Sequence, residues 1–254
     1  MQVSSLSISI PAYNDEATIE EVIKEAESVA SSITNDYEIF LVNDGSLDST
    51  GSIIDRMADS NENIRVIHHG INKGFGETLK KIFTEPKREY IYFAPGDGQV
   101  KVREIYKLLP FMNRLDFVLG YRKNRRDPFI RLANSYIYNL LISLFLFKRV
   151  RDVNSVVLFK RKIIEDMVLE SNSAFIHAEL FIKIVKKGLR WGEVVIDHYP
   201  RIAENPGGGG NFKVIFRTIL DLFHISKRLK DFNNKDGHEI IQNSESKILT
   251  RNHY

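Results

Sequence analysis

Four short apolar runs, each rich in β-favouring residues and each stopping at a polar loop, constrain this chain more than anything else in it. They are Leu6–Ile10, Tyr37–Val42, Ile64–His68 and Tyr90–Ala94, and a fifth, Asp116–Leu119, follows. Between them, apolar spacing predicts helices over Ala17–Ser31, Ser49–Ala58, Phe75–Phe83 and Val102–Phe111. Strands alternating with helices build a mainly parallel sheet covered by helices, because a parallel connection needs a crossover of helical length. Ligands of such sheets sit beyond the carboxyl ends of the strands. The exits here read "PAYNDE", "NDGSLDST", "HHGINKGFGE" and "PGDGQ", carrying Asp15, Glu16, Asp44, Asp48, Lys73 and Asp97. Any one of these loops reads as cap and turn chemistry, with Asp15 and Asp48 placed to cap the first two helices. Four in succession converge on one rim and predict a site.

The bulk properties narrow the class. A chain of 254 residues buries a substantial core, and 43% hydrophobic with 27% charged residues is ordinary for a soluble globular protein. A net charge of +3 leaves attraction to anions to local clusters, and nothing in it points to nucleic acid. With no cysteine, disulfides and thiolate metal sites are excluded, which fits a reducing compartment. The N-terminus shows no signal-peptide pattern. The most lipophilic stretch, Tyr136–Phe147, is shorter than the roughly 20 residues of a membrane span. It predicts surface attachment rather than crossing.

The second half is less regular. "GYRKNRRDPFIR" is a basic segment leading into the lipophilic helix, "DVNSVVLFKRK" reads as a strand, and a helix follows near Ile163–Leu169. "AFIHAELFIKIVKKGLRW" has helical spacing, "GEVVIDHYPR" reads as a strand, and a glycine run, Gly207–Gly210, precedes an amphipathic helix. That helix is expected over 213–231, with a polar tail over 232–254.

In order and spacing, "PAYNDE", "VNDGSLDST", "NKGFGE" and "GDGQ" resemble the inverting glycosyltransferase family 2, within it the dolichol-phosphate mannosyltransferase and polyprenyl-phosphate sugar transferase group. The resemblance implies a GT-A fold, α/β with a mainly parallel Rossmann-like sheet and helices on both faces. It spans 1–212, with a nucleotide-binding half to about 120 and an acceptor half beyond. It further implies a UDP- or GDP-sugar donor and Mg²⁺ or Mn²⁺. Pro11, Tyr13, Glu16 and Asp44 are then the nucleotide contacts, with Gly74 allowing close backbone approach. Lys73 is either a phosphate contact or a solvated side chain.

Family members carry Asp-x-Asp after the fourth strand, often followed by x-Gln. Here Pro95 stands in place of the first acid and leaves Asp97 and Gln99 as the metal pair. One carboxylate with diphosphate oxygens suffices for Mg²⁺, so metal should bind weakly without nucleotide.

Arg201 in "HYPR" resembles the family's diphosphate-binding arginine. Lys213 is a displaced counterpart of the lysine that usually follows it. Arg122 and Arg131 resemble the arginines that grip a lipid phosphate, and Ser135 adds a donor. Asp152 and Glu179 are the candidate bases, needed for a hydroxyl acceptor and not for a phosphate.

The expected function is sugar transfer to a polyprenyl or dolichyl phosphate at the cytoplasmic membrane face, by a peripheral protein with a homo-oligomeric or membrane-protein partner. The alternatives are transfer to a glycan hydroxyl and a catalytically inactive nucleotide-sugar-binding protein.

Overall fold

The computed structural model describes residues 3–125, 127–200 and 218–227. Arg126, Arg201, the glycine run 207–210, Lys213 and the 232–254 tail lie outside the described residues. Of the helix expected over 213–231, residues 218–227 are described, and they are helical.

Seven strands form one sheet: β1 (Leu6–Ala12), β2 (Tyr37–Asn43), β3 (Ile64–His68), β4 (Tyr90–Phe93), β5 (Phe117–Arg122), β6 (Val157–Lys160) and β7 (Trp191–Ile196). Their order is β3-β2-β1-β4-β6-β5-β7. The pairs β1–β2, β1–β4, β2–β3 and β5–β7 are parallel. β6 runs antiparallel to both β4 and β5. The chain therefore enters β6 at the same rim where the parallel strands exit, which brings Asp152 to that rim.

The helices are α1 (Ile19–Ile33), α2 (Thr50–Ser60), α3 (Phe75–Thr84), α4 (Ile105–Leu108), α5 (Phe129–Leu146), α6 (Lys162–Glu165) and α7 (Ile176–Lys186). Short 3-10 turns flank α4. Alternate strand residues feed opposite layers, as the pleat requires. Ile39, Leu41, Tyr92, Val118 and Leu158 pack with α1, α2 and α4. Phe40, Val42, Ile91, Phe117 and Phe159 pack with α3, α5, α6 and α7. This is the expected three-layer α/β architecture.

Two local expectations need correcting. The lipophilic helix starts seven residues before Tyr136, because Pro128 opens α5 and "FIRLANS" joins it. At 18 residues and mean hydropathy 1.3, α5 is long and apolar enough to cross a membrane by length and composition alone. One face nevertheless belongs to the protein core: Tyr138, Asn139, Ile142 and Leu146 are buried. Asn139 and Ser143, which break the apolar run in the sequence, hold the connection to β6. Asn139 Oδ1 accepts the Val153 amide at 2.9 Å and Ser143 Oγ accepts the Val150 amide at 3.0 Å.

The second correction concerns Asp15. α1 begins at Thr18 without a side-chain cap, and the Asp15 backbone carbonyl receives the Thr18 and Ile19 amides. The Asp15 carboxylate accepts the Tyr13 amide instead.

α3 sits so close to the 172–173 segment that a Cβ on Gly76 would lie 2.3 Å from the Asn172 carbonyl carbon. Backbone cannot yield as a flexible side chain does. Gly76→Ala should therefore cost about 2 kcal/mol and lower Tm by roughly 5 °C; an unchanged melting curve would refute this packing.

Candidate active site

The exits of β1 to β5 and β7 and the entry of β6 share one rim, and their polar side chains are mostly bound to one another. Asp44 follows β2 and is 3% exposed. Its carboxylate accepts the Lys73 amide at 2.9 Å, the Gly74 amide at 3.0 Å and a bond with His69 Nδ1 at 2.7 Å. The "NKG" turn is thus clasped onto the second strand's exit. Gly45 permits this approach: it has φ +69, and a Cβ there would stand 2.6 Å from the Asn72 nitrogen.

Glu16 and Asp48 form a reciprocal bridge between the first two loops. The Glu16 amide donates to Asp48 Oδ2, and the Ser49 amide donates to Glu16 Oε2 at 2.9 Å. Asp48 also accepts the Thr50 amide, as its expected capping role requires. Pro11 is buried here, while Tyr13 is 43% exposed, its ring open to a flat partner.

The "PGDGQ" turn is wedged between neighbours. Thr18 donates to the Gly96 carbonyl at 2.8 Å, and a Cβ on Gly96 would come within 2.6 Å of the Pro11 oxygen. On its other side the Tyr199 amide donates to the Gln99 carbonyl at 2.8 Å, so the exit of β7 is fastened to the turn. Asp97 Oδ1 accepts the Gln99 amide. Among the described residues, no three His, Cys, Asp or Glu side chains form a metal-binding group. Asp97 offers one carboxylate beside the Gln99 amide. That donor set fits Mg²⁺ or Mn²⁺ only if a ligand's phosphate oxygens and water complete the shell.

The acceptor candidates lie in a chain of alternating charges. Arg122 grips Asp152 with two bonds, Nε to Oδ2 at 2.7 Å and Nη2 to Oδ1 at 2.8 Å, and Nη2 also reaches the Asn154 carbonyl. Asp127 holds two arginines, Arg125 Nε at 2.7 Å and Arg131 Nη1 at 3.2 Å. Arg125 Nη1 donates to Ser135 Oγ at 2.7 Å. Burial alone would raise the Asp127 carboxyl, but Arg125 and Arg131 hold it below the usual range. His198 lies among these charges, 9% exposed. Burial and then Arg122 lower its pKa, keeping the ring neutral at pH 7. His177, sandwiched against Phe83 and Phe93 at 5.0 Å, is pushed down to about 3 by burial and stays neutral.

Both candidate bases have other work. Asp152 is the partner of Arg122. Glu179, on α7 and 2% exposed, accepts the Glu170 and Ser171 amides at 2.9 and 2.7 Å and Lys183 Nζ at 2.6 Å. It organises the 170–173 segment.

Sequence reasoning passed over Asp127 and His198. The signal for Asp127 was one acid between the arginines of "RRDPFIR". For His198 the only signal was its place in "HYPR".

Residues 7–168 match the sequence profile of Glycosyl transferase family 2. The chain is 27% identical over 226 residues to an undecaprenyl-phosphate 4-deoxy-4-formamido-L-arabinose transferase of Photorhabdus laumondii subsp. laumondii, covering 88% of this chain and 67% of the relative. It is 26% identical over 232 residues to a dodecaprenyl-phosphate galacturonate synthase of Rhizobium johnstonii, covering 89% and 67%. The chain thus spans about two thirds of these relatives' length. The fold resembles glucosyl-3-phosphoglycerate synthase from Mycobacterium tuberculosis. Its complex with phosphoglyceric acid has a TM-score of 0.66 at 17% identity, covering 86% of this chain and 79% of that one. Its complex with Mn²⁺, UDP and glucosyl-3-phosphoglycerate has a TM-score of 0.63 at 16% identity, with the same coverage.

The Asp44 clasp yields a direct test. Asparagine keeps one acceptor oxygen where aspartate has two, so Asp44→Asn leaves an amide of the "NKG" turn unpaired. Losing a bond to a buried charged acceptor costs about 1–3 kcal/mol. Hydrogen exchange of the Lys73 and Gly74 amides should accelerate by about 10- to 100-fold. Unchanged exchange would show that the turn does not depend on Asp44.

Proposed function

The chain belongs to glycosyl transferase family 2, and we propose from this that it transfers a sugar, with inversion, from a nucleotide-diphosphate sugar to a polyprenyl phosphate at a membrane surface. The observation that carries the acceptor class is the commitment of both candidate bases. Asp152 is bound twice by Arg122, and Glu179 is closed over by two amides and Lys183. A hydroxyl acceptor needs a group to take its proton; a phosphate oxygen is already anionic at pH 7. The names of the relatives, which act on undecaprenyl and dodecaprenyl phosphate, support the same class.

In this reading Tyr13, with Pro11 and Glu16 beside it, faces the base and ribose. The turn clasped by Asp44 presents Lys73 and the Gly74 backbone to the donor. Arg201 and Lys213 are assigned to the diphosphate. Asp97, with Gln99, would hold Mg²⁺ or Mn²⁺, which supplies neutralisation of the departing diphosphate. Arg122, Arg131 and Ser135 are assigned to the acceptor phosphate, and the anionic acceptor attacks the anomeric carbon from the face opposite the leaving group.

α5 supports surface attachment. Phe129, Ile130, Tyr136, Leu140 and Leu144 are exposed along one side, with Phe147 at its end 93% exposed. Lys123 precedes this face and Lys148 and Arg149 follow it, all exposed, a distribution suited to an anionic membrane surface.

The deciding experiment incubates the chain with radiolabelled UDP- or GDP-sugars, Mn²⁺ and undecaprenyl phosphate. Label should enter the organic phase, and chelator should abolish transfer. Asp97→Ala should lower kcat by at least about 100-fold. Label entering only soluble oligosaccharide would refute the lipid acceptor. Separately, the pair Leu140→Glu and Leu144→Glu should weaken co-sedimentation with phosphatidylglycerol vesicles by about tenfold or more. Both positions face solvent, so unchanged sedimentation would move the membrane contact elsewhere.

A further inference from the structure

The chain leaving β7 is fastened twice to the segment that carries and follows the "PGDGQ" turn. The Asp197 amide donates to Glu104 Oε2 at 3.0 Å, and the Tyr199 amide donates to the Gln99 carbonyl at 2.8 Å. Amides two residues apart in extended chain point the same way, so both bonds form on one edge of it. Lys107 closes the join, with Nζ 2.8 Å from Glu104 Oε2 and 2.9 Å from Asp197 Oδ2. The Arg103 side chain meets that of Tyr199.

The receiving segment has a fixed base. α1 holds it at two points: Thr18, at the helix start, donates to the Gly96 carbonyl at 2.8 Å, and Glu25 accepts the Val102 amide at 3.2 Å. Lys101 adds an ion pair with Glu21 at 2.8 Å. Glu104 is only 4% exposed, so it is not a solvated surface acid. A buried carboxylate is tolerable only with partners, and here one backbone amide and one lysine supply them. Glu104 is thus the link by which α1 and the turn hold the strand exit. Between the two fastened amides stands His198, among Arg122, Asp127 and Asp97. Arg201 follows Tyr199 by two residues in the sequence.

We propose that Glu104 is a positioning residue of the donor site: it holds the exit of β7 at a set distance from the Asp97–Gln99 turn, so that the donor's diphosphate and its cation are received by both together. This role rests on the donor assignment above, in which Asp97 and Gln99 hold the cation and Arg201 the diphosphate. Glu104 contacts neither group in that assignment. It acts through the Asp197 amide, with Lys107 as its counter-ion. A ligand that bridges two loops binds well only at their correct separation, and a displacement of about 1 Å can cost about 100-fold in rate. With one acid in the turn instead of two, more of the cation's oxygen ligands must come from the diphosphate, so the spacing weighs more here.

The test uses the full chain and two readouts, neither of them turnover. Calorimetric titration with UDP, or with GDP where the wild-type chain prefers it, is run in Mn²⁺ and in chelator, which isolates the affinity gained from the cation. Glu104→Ala should shrink that gain about tenfold and change the affinity in chelator by less than about twofold. Glu104→Gln keeps an oxygen for the Asp197 amide and should restore most of the gain. Amide exchange reads the spacing itself. In Glu104→Ala the Tyr199 amide, which is bonded to Gln99 and not to Glu104, should exchange about tenfold faster. Should Glu104→Ala fail to fold, Lys107→Ala carries the same test from a side chain 42% exposed, with shifts of about threefold. An unchanged cation-dependent gain would overturn the positioning role. Faster exchange at Asp197 alone would overturn it too, by confining Glu104 to its own bond. Equal losses of affinity with and without Mn²⁺ would likewise overturn it, by showing general disruption. A wild-type chain whose affinity for UDP and GDP gains nothing from Mn²⁺ would overturn the assignment of Asp97 and Gln99, and the role of Glu104 with it.

Discussion

The bidentate pair between Arg122 and Asp152 is the interaction on which the rim depends. β5 ends at Arg122, and Asp152 lies just before β6, whose strand runs against both neighbours. An antiparallel strand inserted between β4 and β5 brings its entry loop to the edge where its neighbours finish. A buried carboxylate is tolerable there only if paired, and a buried guanidinium only if its donors are used. Each satisfies the other. Burial would lower the Arg122 pKa, but Asp152 outweighs it and holds the cation in place. Residues 116–125 and 150–157 are thereby locked together, and the segment carrying Asp127, Arg131 and α5 hangs from that lock.

The same economy governs the donor side. Acids that look ligand-directed in the sequence are largely bound to backbone amides of neighbouring loops. Asp44 holds the turn at 73 and 74, Glu16 holds the start of α2, and Glu179 holds the segment at 170 and 171. Loops at the end of a parallel sheet bring many unpaired amides together away from their own ladders, and unpaired amides are costly once shielded from water. Carboxylates are the strongest acceptors the chain has for them. The rim is built as a preset surface before any ligand arrives, and the residues left facing outward, such as Tyr13 and Arg131, are fewer than the motif inventory suggests.

This division explains what was legible in the sequence. The strands and the first three helices emerge within a few residues because their signals are local: apolar runs, turn residues and helical spacing. The direction of β6 has no local signal, since "VVLF" fits either orientation. The first two turns of α5 were hidden by their basic and polar residues, which mask the helix at its start. Site chemistry was legible as a set of motifs but not as a set of partners. Asp44 meets Lys73 and Gly74 across 29 and 30 residues, and Arg122 meets Asp152 across 30. No short window contains both halves. Asp127 is the sharpest case: beside three arginines it reads as a charge in a solvated basic loop, and only the fold shows its two oxygens divided between Arg125 and Arg131.

Pro95 gains its meaning from the same geometry. Where the first acid of the family's pair would stand at the exit of β4, the chain has a residue that fixes the backbone and offers no side-chain ligand. Asp97 sits on a turn pinned by Thr18 on one side and by the Tyr199 amide on the other, so its place is set by three loops together. Its neighbours Arg122 and His198 are respectively neutralised by Asp152 and held uncharged by burial. Among the described neighbours of Asp97, then, Arg122 and His198 add little net charge. In the proposed reading a diphosphate and its cation would complete this turn together, because Asp97 and Gln99 alone supply few of the oxygen ligands that Mg²⁺ or Mn²⁺ takes.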